Sequence, residues 1–202
     1  MTKLRQVAAA AAILGALASP AHAELISNGG FESGSTAGWT FTGGDSDVVS
    51  TAPFFLGGVG GFGFLPGGHG GFAALLATQE FVTGSALSQT FLTTPGGTYT
   101  LQFDFGAFGN AQAISVSLSN SSLGSFVLTD PTGTHNNALL FSHYAYAFTA
   151  TGASSTLTIA DTGLNVSSAL VVLDNISVVP APGGLALLAF GLAALGLRRR
   201  RG

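Results

Sequence analysis

Cysteine is absent from the 202 residues, which excludes disulfides and thiolate chemistry. Charge is scarce: Asp, Glu, Lys and Arg together make up 7% of the chain, against about a quarter in ordinary soluble proteins. The scarcity is also lopsided. All six basic residues stand in the termini (Lys3, Arg5 and Arg198 to Arg201), and no Lys or Arg falls between Arg5 and Arg198. The nine acids, Glu24, Glu32, Asp45, Asp47, Glu80, Asp104, Asp130, Asp161 and Asp174, all lie between those ends. Phosphate contacts need Lys or Arg, so nucleic acid is excluded as a partner of the body. For the same reason, a carboxylate buried in the body must be neutral, hydrogen-bonded or held on a metal. No long segment of 3.6-residue periodicity runs through the middle of the chain.

What is present begins with the two ends. Lys3 and Arg5 precede an apolar run from Val7 to Ala18, and Ala21-His22-Ala23 supplies small residues before a cut site. This is the pattern of a secretory signal peptide over residues 1–23, with cleavage expected after Ala23. At the other end, Gly183 to Leu197 is uncharged and largely apolar, and Arg198, Arg199, Arg200 and Arg201 follow. As a helix those 15 residues rise roughly 22 Å, short of the ~30 Å hydrocarbon core, so spanning is marginal without the preceding residues. The arginines would stay on the cytoplasmic side and leave the body facing outward. A proline-containing motif, an apolar helix and an arginine cluster in that order resemble the PEP-CTERM sorting signal. Val179-Pro180-Ala181-Pro182 matches the usual Val-Pro-Glu-Pro of that family, with Ala181 in place of Glu. The resemblance covers residues 179–202 and implies an exosortase and the secretion machinery as partners, with transient residence in the inner membrane and then release to the cell surface or matrix. A plain tail anchor without processing is the alternative.

The middle, residues 24–178, reads as strands. Thr98 to Phe105 puts Tyr99, Leu101, Phe103 and Phe105 on one face and Thr98, Thr100, Gln102 and Asp104 on the other. Ala113 to Ser119, His143 to Thr149 and Ser155 to Ala160 alternate in the same way. Shorter candidates are Gly38 to Phe41, Asp47 to Ser50, Phe72 to Ala77, Ala86 to Leu92 and Gly124 to Leu128. Period-two alternation with one polar face, broken by Gly, Asn, Asp and Pro turns, predicts an all-β antiparallel sandwich or jelly roll, flanked by a signal helix and a C-terminal hydrophobic helix. Gly57 to Gly71 is rich in glycine but carries Phe62, Phe64 and Leu65. It reads as a surface loop, or as a loop that folds over a ligand. It is no dinucleotide fingerprint, because no βαβ pattern surrounds it.

Leu25-Ile-Ser-Asn-Gly-Gly-Phe-Glu32 followed by Gly38-Trp39 resembles the opening of the galactose-binding-like jelly rolls of carbohydrate-binding modules. Ala86 to Phe91 and Thr94 to Phe103 resemble their middle strands, and Leu173 to Val178 their closing strand. The resemblance implies that the first and last strands lie side by side and often hold one structural Ca²⁺. The family's ligands map onto Glu32, Asp174 and a backbone carbonyl near Gly30, with the end of the glycine-rich segment near Gly71 as a further source of carbonyls. Calcium takes six to eight oxygens, and a cation from solution would also meet the lack of Lys and Arg. The competing reading leaves both carboxylates exposed or capping turns.

No catalytic pattern stands out. There is no G-x-S-x-G elbow and no zinc spacing among His22, His69, His135 and His143, and no local pattern selects a glycosidase carboxylate pair. Trp39, Tyr144 and Tyr146 read as core. A glycan face, if the body carries one, falls on the polar side at Gln102, Asp104, Asn110 and His143. The sequence therefore predicts a non-catalytic exported module that contacts exopolysaccharide, or a purely structural surface protein without glycan binding.

Overall fold

The computed structural model describes residues 24–43, 46–50, 70–76, 84–108, 112–130, 141–162 and 170–181. The leader, most of the glycine-rich segment, Asn110 and the tail from Pro182 onward lie outside these residues.

Alternation sets the architecture. Ten strands are described, and all their pairings are antiparallel. They are β1 (Thr40–Thr42), β2 (Ser46–Ser50), β3 (Phe72–Leu76), β4 (Ala86–Leu92) and β5 (Thr98–Phe108), then β6 (Gln112–Leu118), β7 (Gly124–Asp130), β8 (Ser142–Thr149), β9 (Ser154–Asp161) and β10 (Leu170–Pro180). One sheet runs β1-β4-β9-β6-β7 and the other β2-β3-β10-β5-β8. The two sheets face each other across one apolar core. Leu87, Ile114, Val116, Leu157 and Ile159 enter it from the first sheet; Leu101, Phe103, Phe105, Leu173, Ile176 and Val178 enter from the second. Among the described residues there is no helix, and none is long and apolar enough to cross a membrane.

Of the aromatics expected in the core, Trp39 is buried, while Tyr144 and Tyr146 are half-buried against it. Trp39 is buried beside Phe31, with ring centroids 5.7 Å apart, and its Nε1–H donates to the Asn28 carbonyl at 3.0 Å. Tyr144 and Tyr146 stack on Phe103 from the same sheet.

The predicted strands are present; β5, β7, β8 and β9 are longer than expected, while β1 starts at Thr40 and not at Gly38 and β6 is shifted to Gln112–Leu118. The closing strand differs most, running from Leu170 through Pro180 instead of stopping at Val178. The Ala181 N–H then donates to the Thr98 carbonyl at 2.9 Å. Val179 and Pro180 of the tail motif therefore belong to the last strand of the sandwich. A proline fits there because it stands at the strand's end, where its missing N–H interrupts no ladder.

The residues before β1 form no long strand but are tied down at several points. The Leu25 N–H donates to the Val178 carbonyl, and the Ile176 N–H to the Gly29 carbonyl, both at 2.9 Å. Across the sandwich, the buried Gln89 side chain accepts from the Ser27 N–H at 2.7 Å and donates to the Ser27 carbonyl at 2.9 Å. A polar side chain on the core face is tolerated there because its amide is bonded through both its oxygen and its nitrogen. The first and last segments of the body thus lie side by side, as the sequence resemblance implied.

Candidate functional site

An open cleft of about 380 Å³ lies on the solvent side of the second sheet. It is lined by Glu24, Gly30, Gln102, Asp104, His143, Asn175, Ile176 and Ser177. Three strands supply the polar side chains. Gln102 and Asp104 alternate outward on β5, opposite Phe103 and Phe105. Register places Asp104 beside His143 of β8 and beside Asp174 of β10, and Gln102 beside Ser177.

A bulge in β10 shapes the floor. The register with β5 shifts between Asp174 and Ser177, and Asn175 takes a positive φ of 49°. Asparagine is among the few residues that adopt this conformation readily. The bulge lets Leu173 and Ile176 both turn into the core while Asp174 stays on the outer side. It also aims the Asn175 side chain at Asp104: Nδ2–H donates to Asp104 Oδ2 at 2.8 Å. His143 Nδ1 lies 2.7 Å from the other oxygen, Asp104 Oδ1. A carboxylate can only accept, so Nδ1 carries the proton and Nε2 is left as the ring's second polar atom. Asp104 is buried while the His143 side chain is 59% exposed. With no Lys or Arg in the body, the buried Asp104 carboxylate finds its side-chain partners in His143 and Asn175.

Behind the cleft lie the residues expected to hold calcium. A Cβ added at Gly30 would stand 3.9 Å from Asp174 Oδ1 and 3.9 Å from the Glu32 Cγ methylene, so both side chains pass this glycine. Asp174 is fully buried, and its Oδ1 accepts from the Asn175 N–H at 2.7 Å. Burial is the main force that pushes the Asp174 carboxyl up, to about 7. The Asn175 bond pulls it down, and the charges of Asp104 and Glu32 push it further up. Glu32 accepts from the Gly71 N–H at 3.0 Å on both oxygens and from the Phe72 N–H at 3.2 Å. Gly71 therefore stands beside Glu32, and it presents its N–H there where a carbonyl was expected. Gly70, at φ 76°, sits so close to the Glu32 carboxylate that no Cβ fits. Among the described residues no group of three or more His, Cys, Asp or Glu is arranged for a metal. Glu32 and Asp174 offer carboxylate oxygens, a donor type that suits a hard cation and not zinc.

The structure thus unites what the sequence treated as two sites. Gly30, Gln102, Asp104 and His143 line one cleft, Asp174 stands beside Asp104 in the ladder, and Glu32 bonds the Gly71 and Phe72 amides. Asn110 lies outside the described residues. Sequence reasoning missed Asn175, Ser177 and Glu24. An Asn directly after the closing Asp was the available signal for the first, since Asn favours the left-handed turn a bulge requires.

No family model matches the chain, and no curated protein does. Solved structures do match. One is the carbohydrate-binding module TmCBM61 in complex with β-1,4-galactotriose, at TM-score 0.53 and 14% identity over 79% of this chain and 99% of that one. Another is a Stig cyclase from Fischerella sp. TAU, at TM-score 0.53 and 18% identity over 80% and 99%. A third is the enzymatically active domain of bacteriophage CBA120 tailspike protein 4, at TM-score 0.51 and 16% identity over 78% of this chain. The match spans 21% of the tailspike domain's length. At these identities the likeness is one of fold, and binding modules and enzymes share it.

Proposed function

We propose that the chain is an exported surface or matrix protein whose body is a non-catalytic, galactose-binding-like jelly roll that binds saccharide in the open cleft. The observation that carries this reading is the convergence of Gln102, Asp104 and His143, from two strands, with Asn175 and Ser177 from a third. Amide, carboxylate, imidazole and hydroxyl groups match the hydroxyls of a sugar, and among the described residues no Phe, Tyr or Trp lines the cleft. Recognition then runs through hydrogen bonds. A glycan array followed by affinity electrophoresis tests it. Gln102→Ala and His143→Ala are each expected to weaken retention about tenfold, the loss of one or two hydrogen bonds, with little change in melting temperature. Retention unchanged in both variants would sink the assignment.

A proton-transfer enzyme is the second reading, favoured by His143 held by Asp104 in an open cleft, the arrangement of a base and its orienting acid. Substrate turnover abolished in His143→Gln would put that reading first.

In the same proposal the tail, Val179 to Pro182 with Arg198 to Arg201, is the sorting segment read by an exosortase, and the leader ends at Ala23. Intact mass of the exported protein checks both ends. A species beginning at Glu24 and lacking Arg198 to Arg201 is expected; a species that keeps the arginines would reduce the tail to an anchor.

One structural Ca²⁺ held by Glu32, Asp174 and the Gly30 carbonyl completes the proposal. Calcium there would neutralise a buried carboxylate that no Lys or Arg can reach. Saturating calcium is expected to raise the melting temperature by about 5–10 °C over the EDTA-treated protein. Identical melting in the two conditions would remove calcium from the account.

A further inference from the structure

Glu24 lines the cleft, and it is also the residue that follows the expected cut after Ala23. The next residue is pinned by the Leu25 N–H bond to the Val178 carbonyl. That bond fixes the peptide plane joining Glu24 to Leu25 against β10. By connectivity alone, any chain that precedes Glu24 departs from the wall of the cleft.

We propose that removal of the leader completes this site. The cut creates at Glu24 an α-ammonium, the one permanent cation among the cleft's lining residues. The inference rests on the export reading above.

The chemistry around Glu24 gives that ammonium a role. Glu24 and Asp104 bring carboxyls to the cleft, and Asp174 and Glu32 stand behind Gly30. Burial already pushes the Glu24 carboxyl up. An α-amine is protonated at neutral pH, so a charge appears in a region that has acids and no Lys or Arg. While the leader is attached, the same nitrogen is a neutral amide with one N–H. After the cut it has three donors, suited to the hydroxyls of an uncharged saccharide. The precursor is then silent and the exported chain is competent, so binding is confined to the compartment where the ligand lies.

Three chains test this: one beginning at Glu24, the same chain acetylated on its α-amine, and one that retains His22 and Ala23. At pH 6 the free-amine chain is expected to melt about 3 °C or more above the acetylated chain. The gap closes by pH 10, because a cation favoured by the folded state stabilises it below its unfolded pKa and loses that effect as pH rises through the folded one. Retention on immobilised β-1,4-galactotriose or another neutral glycan found on the array is expected to fall at least tenfold when His22 and Ala23 remain. Equal melting of the free and acetylated chains at pH 6, or a gap that persists at pH 10, overturns the proposal. So does an exported mass that begins at any residue other than Glu24. If all three chains fail to bind any glycan, the saccharide reading falls while the melting comparison still decides the role of the amine.

Discussion

Gly29→Ala is expected to unfold the cleft side of the sandwich and to lower the melting temperature by about 10 °C, a cost on the order of 3–4 kcal/mol. An added Cβ would run into the Ile176 carbonyl group, which belongs to the backbone and cannot rotate away. Gly29 also accepts the Ile176 N–H through its own carbonyl at 2.9 Å. Relief of the clash would therefore open the junction that holds the first segment against β10. The loss should exceed that of a surface change such as Leu92→Ala, where the side chain is 79% exposed. Circular dichroism melts of the two variants check the ranking. A Gly29→Ala protein that melts like the parent would show that the first segment is not fastened to the last strand as described.

Asp174→Asn should also change stability, with a sign that depends on pH. The folded carboxyl titrates at about 7, against about 3.9 in an unfolded chain. Below the unfolded value both states hold the proton and the site costs nothing. Between the two values the folded state keeps a proton that the unfolded state has released, so stability falls as pH rises. Above about 7 the folded protein carries the charge and the full cost. In EDTA at pH 8, Asp174→Asn is therefore expected to melt about 5 °C higher than the parent. This corresponds to about 2 kcal/mol, roughly half of what the displacement would give at ~1.4 kcal/mol per pH unit. The discount reflects screening by water in the neighbouring cleft. Most of the gain should vanish by pH 4.5, read as converging melting curves. With saturating calcium the order should reverse, because the variant lacks one of the proposed ligands. A parent protein whose stability rises from pH 5 to pH 8 in EDTA would contradict the assigned shift.

Much of the sandwich was decided within single strands. The alternation of Tyr99, Leu101, Phe103 and Phe105 against Thr100, Gln102 and Asp104 separates a core face from an outer face before any partner strand is known. Ile114, Val116 and Leu118 do the same for β6. These patterns are local, since successive side chains of a strand point to opposite sides whatever lies next to it. The absence of Lys and Arg was equally plain, and it required buried carboxylates to find other partners. The motifs Asn28-Gly-Gly-Phe-Glu32 and Leu173-Asp-Asn175 also marked, through resemblance, which ends of the body would meet.

The grouping of the cleft was decided by tertiary structure alone. Asp104 meets His143 across 39 residues and Asn175 across 71, and no periodicity within β5 selects those partners. The bulge at Asn175 turns one more residue outward than strict alternation allows, and it shows only in the register of β10 against β5. Glu32 finds the Gly71 and Phe72 amides 39 and 40 residues away, and Glu24 reaches the cleft because Leu25 is fastened to Val178. Faces follow from local sterics, which the sequence carries in its period of two. Sites follow from which strands lie side by side, and that is set by the packing of two whole sheets around one core.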